Sequence, residues 1–91
     1  MAFTWSKAEC TTNLKTHGLD FADAPRVFEG LTFTYEDDRF AYGEQRFVTL
    51  GLLAGIPVSN VHTETPYEIR IISFRKARQR EAHLYFAQVQ D

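Results

Sequence analysis

The stretch RFVTLGL at positions 46–52 decides the predicted fold, because its apolar and polar side chains alternate with a period of two. The same alternation recurs at 31–35 and 58–63, and segment 67–74 is a fourth candidate strand. Alternation of this kind is typical of a β-strand with one face on a core. The expected turns between the strands are 36–39, 54–57 and 65–66. The pattern therefore predicts a four-stranded antiparallel sheet.

Helical segments are predicted on both sides of these strands. Ser6 precedes a glutamate by three residues, as in a capping box, and Gly18 suits the position after a helix end, so a helix is expected between them. A second, short helix is expected over 20–30, and helix-forming residues dominate 75–90. Residues 3–5 are either a strand or an extended arm. The fold class is thus α+β, with two N-terminal helices, four antiparallel strands and a C-terminal helix.

The lengths of the predicted turns assign each strand residue to a face of the sheet. A loop at 54–57 would place Leu50 opposite Val61, and a loop at 65–67 would place His62 opposite Arg70 and Val61 opposite Ile71. The residues that then share an apolar face are Val48, Leu50, Leu52, Val61, Ile69 and Ile71. Those that share a polar face are Thr49, Asn60, His62, Glu64, Glu68 and Arg70. We therefore expect the helices to cover the apolar face and the polar face to be partly open.

Length and composition restrict the class of protein. The 91 residues form one domain, 1–91, because two halves would each be too short for a hydrophobic core. Hydrophobic residues make up 44% of the chain, which excludes disorder, and polar residues interrupt each apolar run before it could span a bilayer. The single cysteine, Cys10, excludes an intramolecular disulfide and a cysteine-rich zinc site. Since no secretory signal is visible, we expect a soluble, cytoplasmic protein without a membrane partner.

Charge is distributed unevenly along the chain. The net charge is −2, which argues against a general nucleic-acid-binding protein. Segment 20–44 contains seven acidic and two basic residues, whereas segment 70–91 contains five basic and two acidic ones. A surface divided in this way could bind a polyanion on one side and a basic partner on the other. The alternative is a basic C-terminal helix that is simply solvated.

The predicted polar face supplies the groups that cleavage of a phosphodiester requires. Cations stabilise the charge that develops on the phosphate, while a base and an acid move the protons. Arg70 would lie near His62, with Arg46 on the next strand and Arg75 just beyond the strand end. The same side chains could instead form a ladder of ion pairs on a solvated sheet.

Other polar residues have both a structural and a functional interpretation. Lys15 and His17 end the first helix, where cations complement the helix dipole. Ser73 would cap the C-terminal helix, or would bind a phosphate there together with Arg75. A metal site built from the three histidines is disfavoured, because no two of them have the spacing of metal ligands on a helix. We expect no cofactor.

Motifs along nearly the whole chain resemble one family. They are Phe3-x-Trp5, Asn13-Leu14-x-x-His17-Gly18, Phe21-x-x-Ala24-x-x-Val27-Phe28, Gly43-Glu44-x-Arg46-Phe47-x-Thr49-x-Gly51, Val61-His62-Thr63-Glu64, Arg70-Ile71-Ile72-Ser73-x-Arg75-x-Ala77, and Glu81 with Tyr85. In this order and spacing the chain resembles the BrnT toxins of bacterial type II toxin–antitoxin modules. The resemblance implies a RelE-like fold and a ribonuclease that blocks translation by cutting RNA. It also implies a BrnA-like antitoxin with a ribbon-helix-helix DNA-binding domain, in a 2:2 complex.

Two hypotheses about function follow from the residues and the resemblance. In the first, the chain is a metal-independent endoribonuclease. Its candidate catalytic residues are His62, Arg70, Arg46, Glu44, His17 and Tyr85. Its candidate RNA-binding residues are Lys15, Arg75, Ser73, Lys76, Arg78 and Arg80. In the second, the chain is a non-catalytic interaction module that binds an antitoxin-like DNA-binding partner through the same basic surface.

Overall fold

A computed structural model of the chain describes residues 1–39, 41 and 43–89. It has the expected α+β class, with one sheet and helices on both of its faces. The elements in chain order are β1 (Ala2–Trp5), α1 (Lys7–His17), a 3₁₀ turn (Phe21–Asp23), α2 (Ala24–Phe28), β2 (Phe33–Asp37), β3 (Arg46–Leu53), β4 (Ile56–Glu64), β5 (Glu68–Lys76) and α3 (Gln79–Val89). In the described part of the chain, no helix is long and apolar enough to cross a bilayer.

The sheet has five strands and is mixed, so the prediction of four antiparallel strands is wrong. The strand order is β1-β5-β4-β3-β2, and β1 lies parallel to β5 with Phe3 opposite Ile69 and Trp5 opposite Ile71. The other three pairings are antiparallel. Of the two possibilities left open for residues 3–5, the structure has the strand.

The first helix has the expected ends. The hydroxyl of Ser6 accepts a hydrogen bond from the backbone N–H of Glu9 at 3.2 Å. At the other end, Gly18 has φ 75° and donates its N–H to the carbonyl of Leu14. Both contacts satisfy backbone groups that a helix terminus leaves unpaired. Local capping chemistry therefore sets the length of α1.

Buried Asn13 attaches α1 to the open part of the β5 edge. Its Nδ2 donates to the carbonyls of Leu19 at 2.9 Å and Phe74 at 2.7 Å, and its Oδ1 accepts from the N–H of Phe74 at 3.0 Å. Strand β1 pairs with β5 only as far as Ile71. A single side-chain amide thus satisfies the backbone of β5 where β1 no longer reaches.

The second predicted helix is divided into two short pieces. Asp20 accepts a hydrogen bond from the N–H of Ala22 and starts the 3₁₀ turn, after which α2 runs only to Phe28. Pro25 stands at the beginning of α2, where its missing N–H costs no helical hydrogen bond. The helix predicted over 20–30 lies at the expected position, but it is not one continuous α-helix.

Several predicted boundaries differ from the structure. Strand β2 extends to Asp37, so 36–39 is only partly a turn, and only Ala54 and Gly55 form the turn between β3 and β4. Strand β5 continues to Lys76 and α3 begins at Gln79, so the prediction that Ser73 caps this helix is wrong. The expected final helical residue, Gln90, lies outside the described residues.

The register between β3 and β4 preserves the predicted face, although the predicted pairs are wrong. The tight turn places Val48 opposite Val61 and Leu50 opposite Ser59. This shift of two residues leaves every side chain on its expected side, since strand faces alternate with a period of two. Val48, Leu50, Leu52 and Val61 therefore share one face, as predicted, and pack there against α3.

The register between β4 and β5 is shifted by one residue, and this overturns the predicted faces. The N–H of Thr65 donates to the carbonyl of Glu68, which closes the turn more tightly and places His62 opposite Ile71 instead of Arg70. Ile69 and Ile71 consequently pack against the N-terminal helices. An extra residue in β5, Ile72, forms a β-bulge.

Both faces of the sheet are covered. The face that carries Val48 and Val61, called the α3 face below, packs against α3. The opposite face, called the α2 face, carries Ile71 and packs against the segment that contains Phe21 and Val27. The polar residues that were expected on an open surface, Thr49, Asn60 and His62, are buried. The predicted open polar face is therefore wrong.

Candidate functional site

Three of the predicted site residues meet on the α3 face. The Nε of Arg46 donates to Oε2 of Glu44 at 3.1 Å, while Nη2 of Arg70 lies 3.1 Å from Oε1 and 3.2 Å from Oε2. A second carboxylate, that of Glu9 in α1, lies 3.8 Å from Nη1 of Arg70. Glu44, Arg46 and Arg70, called the Glu44 cluster below, thus form a partly exposed group in which one carboxylate links two guanidinium groups.

The sheet explains how these residues meet. Arg46 is the first residue of β3 and pairs with Asp37, whereas Arg70 lies in β5 opposite Thr63 of β4. Strands β3 and β5 flank β4 at about 9–10 Å from each other, so two long side chains on the same face can converge above it. Glu44 lies two residues before the start of β3. The side chains of Arg46, Arg70 and Glu44 remain 26%, 36% and 37% exposed, so a ligand in solvent can reach them.

Arg75 is also on the α3 face, but its guanidinium group is paired with a carboxylate of the protein. Its Nη1 and Nη2 donate to the two carboxylate oxygens of Glu81, each at 2.8 Å, and Nη1 also donates to the carbonyl of Lys76. Glu81 in turn accepts the backbone N–H of Arg78 at the start of α3. This pair therefore fixes α3 to β5.

The charge of Glu81 follows from its neighbours. Burial favours the neutral carboxyl, but hydrogen bonds from Arg75 and from the backbone N–H of Arg78 outweigh this effect and hold the pKa of Glu81 below its usual value. Glu81 is therefore ionised at neutral pH.

His62 lies in the core on the α2 face, on the opposite side of the sheet from Arg70. It is 0% exposed and is enclosed by Phe28 and Phe47, whose ring centroids lie 5.4 Å and 6.0 Å away. Its Nε2 lies 2.7 Å from the hydroxyl oxygen of Thr49. Burial lowers the pKa of His62 to about 4, so the ring is neutral at pH 7. The structure does not bring His62 to the arginines, because the one-residue register shift in β5 places Arg70 on the α3 face, whereas His62 stays on the face of Thr49.

The remaining catalytic candidates lie apart from the Glu44 cluster. Tyr85 is buried between α3 and the sheet, and its hydroxyl donates to the carbonyl of Leu31 at 2.9 Å. His17 is exposed at the end of α1 and lines a shallow groove of about 440 Å³, which Ser73 also lines. Lys15 is exposed in the last turn of α1, where both basic groups complement the helix dipole.

A cavity of about 640 Å³ lies between the end of β2 and the start of α3. Three of the predicted RNA-binding residues, Arg75, Arg78 and Arg80, line it, whereas Lys76 is exposed at the end of β5. Sequence reasoning did not identify Tyr35 and Ser59, which also line this cavity. The alternation of 31–35 could have placed Tyr35 on the α3 face, but nothing local indicates where α3 lies.

The described residues 1–39, 41 and 43–89 contain no group of three or more histidine, cysteine, aspartate or glutamate side chains placed to hold a metal ion. The two acidic residues of the α3 face described above instead bind arginines. These two ion pairs present guanidinium and carboxylate groups on the α3 face.

Comparison with known families identifies the class of protein. A family model for the ribonuclease toxin BrnT of type II toxin–antitoxin systems matches residues 5–81. This chain belongs to the BrnT family. The match contains both the Glu44 cluster and the Arg75–Glu81 pair, so the charged groups of this BrnT chain lie within the region that defines the family. No curated protein matches the chain.

Proposed function

We propose that the chain is a metal-independent endoribonuclease toxin that binds RNA on the α3 face and cleaves it at the Glu44 cluster. The observation that supports this most directly is the convergence of Arg46 and Arg70 on a single carboxylate. A phosphodiester also presents two charged oxygens, and guanidinium groups bind such pairs of oxygens in the same way. The scissile phosphate would take the place that the carboxylate of Glu44 occupies in the unbound protein.

The groups of the cluster would then divide the chemistry. Glu44, displaced from the arginines, accepts the proton of the 2′-hydroxyl, whose oxygen attacks phosphorus. Arg46 and Arg70 stabilise the negative charge that builds on the phosphate oxygens. The bond from phosphorus to the 5′-oxygen breaks, the leaving oxygen takes a proton from water, and the resulting hydroxide removes the proton from Glu44. The products are a 2′,3′-cyclic phosphate and a 5′-hydroxyl.

The other predicted residues have different roles in this proposal. Arg78 and Arg80 bind the RNA backbone beside the cavity, while Lys15, His17 and Ser73 flank the RNA near α1. Arg75 acts through Glu81 by holding α3 in place. His62 and Tyr85 stabilise the fold, because each is buried and away from the cluster.

We further propose that a BrnA-like antitoxin with a ribbon-helix-helix domain inhibits the toxin in the cytoplasm, in a 2:2 complex. The family is that of type II toxin–antitoxin ribonucleases, a class in which each toxin has an antitoxin. Glu44 and Glu81 show that carboxylates fit the arginines of the α3 face. An acidic segment of the antitoxin would bind these arginines and exclude RNA, which prevents the toxin from inhibiting translation.

The decisive experiment measures cleavage of labelled RNA by purified protein in excess chelator. We expect cleavage by the unmodified protein and a loss of about 100-fold or more in Arg70→Ala, because a donor to the transition state is removed. Arg26→Ala is the matched control, since Arg26 is exposed in α2 and also contacts one carboxylate, that of Asp23 at 3.7 Å. If Arg70→Ala remains folded and cleaves at the unmodified rate, the proposed site is wrong. If the unmodified protein does not cleave and still binds an antitoxin, the chain is an interaction module.

A further inference from the structure

We propose that the cavity between β2 and α3 binds a nucleobase of the RNA, next to the phosphate held by the Glu44 cluster, and so selects the cleavage site. This inference rests on the proposed ribonuclease function and deepens it. The cavity volume of about 640 Å³ is within the range of sites that bind small molecules. Its lining combines the aromatic ring of Tyr35 with the aliphatic side chains of Val48 and Val61. A flat, largely apolar ring can be buried against such a surface.

The hydroxyl group of Ser59 provides the second observation. Ser59 lines the cavity, is 1% exposed, and its Oγ has no hydrogen-bond partner in the described part of the chain. A buried hydroxyl without a partner costs free energy, so such groups are uncommon unless a ligand or another function accounts for them. The buried hydroxyl of Thr49, by contrast, contacts both Thr34 and His62. The polar edge of a nucleobase would give Ser59 the hydrogen bond that the described residues do not provide.

The charges of the cavity favour a base over a phosphate. Four acidic and four basic side chains line it, which are Glu36, Asp37, Asp38, Glu81, Arg39, Arg75, Arg78 and Arg80. Several of these charges offset one another, since Asp37 binds Arg39 at 2.8 Å and Glu81 binds Arg75 at 2.8 Å. The four carboxylates would repel a phosphate placed in the cavity. They would not repel a neutral base, whose phosphates could remain near the Glu44 cluster.

The position of the cavity fits one nucleotide beside the cluster. Val48 lies two residues after Arg46 on the same face of β3, a separation of about 7 Å along a strand. Tyr35 pairs with Val48, and Asp37 pairs with Arg46, so the cavity and the cluster occupy adjacent positions of the same strand pair. A base held by Tyr35 and Val48 would therefore place its own backbone close to Arg46.

Two measurements test the inference. The first maps the cleavage sites of the unmodified protein and of Ser59→Ala in RNA of random sequence. We expect the base preference next to the cleaved bond to fall about tenfold in Ser59→Ala, while the melting temperature stays unchanged because no hydrogen bond to residues 1–39, 41 or 43–89 is lost. Ser6→Ala, which removes the cap of α1, should lower the melting temperature and leave the base preference unchanged.

The second measurement does not depend on cleavage. Adenosine, cytidine, guanosine and uridine monophosphates are titrated separately into the unmodified protein, and the methyl NMR signals of Val48 and Val61 are followed. We expect one of the four to shift these signals at a concentration about tenfold lower than the others, and to lose that advantage in Ser59→Ala. Four equal responses, or an unchanged cleavage profile in Ser59→Ala, would overturn the inference and leave the ribonuclease proposal standing. An absence of RNA cleavage with selective nucleotide binding would instead overturn the ribonuclease proposal alone.

Discussion

At the scale of single residues, Glu44 has two opposing effects on RNA in the proposed mechanism. Its charge competes with the phosphate for Arg46 and Arg70, yet its carboxylate accepts the 2′-hydroxyl proton. Glu44→Gln should therefore bind RNA more tightly, by roughly fivefold, since one nearby like charge changes the interaction with a phosphate by about 1 kcal/mol. The same substitution should slow cleavage by about 100-fold or more, because the amide is not a base.

Affinity for RNA with a 2′-deoxy group at the cleavage site separates these two effects. Glu29→Gln, at an exposed residue after α2, serves as the control for loss of one negative charge. An affinity of Glu44→Gln equal to that of Glu29→Gln would show that Glu44 does not occupy the phosphate position.

The stability of the protein should depend on His62 at mildly acid pH. The pKa of its ring is about 4 in the folded chain and near 6.5 when exposed, so the unfolded chain takes up the proton first as the pH falls. The stabilisation is complete above about pH 7 and decreases from about pH 6.5 to pH 4. The loss is on the order of 3 kcal/mol over that interval, because each pKa unit corresponds to about 1.4 kcal/mol.

Urea unfolding between pH 4 and pH 7.5 measures this dependence. His62→Gln should be less stable at pH 7 and should show a flatter pH profile than the unmodified protein. His83→Gln, at an exposed position in α3, should keep the original profile. If the stability of His62→Gln depends on pH in the same way as that of the unmodified protein, His62 is not the cause of the dependence.

At the scale of secondary-structure elements, the turn between β3 and β4 contains a strained residue. Ala54 has φ 50° and Gly55 has φ 80°, as in a two-residue turn with positive φ at both positions. Asparagine adopts this conformation more readily than alanine does. Ala54→Asn should therefore raise the free energy of unfolding by about 0.5–1 kcal/mol. Chemical denaturation checks this, with Ala87→Asn in α3 as the control that should not be stabilised.

The elements show which parts of the fold the sequence could predict. Helix α1 was predictable, because Ser6 and Gly18 act within one turn of the chain. The faces of β3 were predictable too, since the shift of two residues at Ala54 and Gly55 preserved them. The faces of β5 were not, because they depend on the hydrogen bond from Thr65 to Glu68 and on one extra residue.

The same distinction applies to the candidate site. Glu44, Arg46 and Arg70 could be named from residue type and motif, and the structure brings them together. Ser59 could not be identified, because its lack of a hydrogen-bond partner among the described residues appears only once α3 is placed over the sheet. Arg70 was wrongly assigned to the same face as His62, because that assignment depended on a register that a single turn residue controls.

At the scale of the whole molecule, the α3 face is expected to bind RNA and antitoxin alternately. Both ligands would need Arg46 and Arg70, whose guanidinium groups cannot hold a phosphate and a carboxylate in the same place. An antitoxin purified with the toxin should therefore abolish cleavage of labelled RNA. Excess non-cleavable RNA should in turn slow association of the two proteins. An intact complex that cleaves RNA at the rate of the unbound toxin would contradict this expectation.

The bulge at Ile72 determines what the α3 face can contain. Arg70 and Arg75 are separated by an odd number of positions, so in a regular strand they would point to opposite sides of the sheet. The extra residue reverses the alternation once, which keeps both arginines above the same surface while Ile71 and Phe74 remain in the core below. The bulge therefore decides the direction of every later side chain in β5. If the same residues paired without it, the rest of the strand would be reversed, with the Arg75 cation directed into the core and the Phe74 ring toward α3.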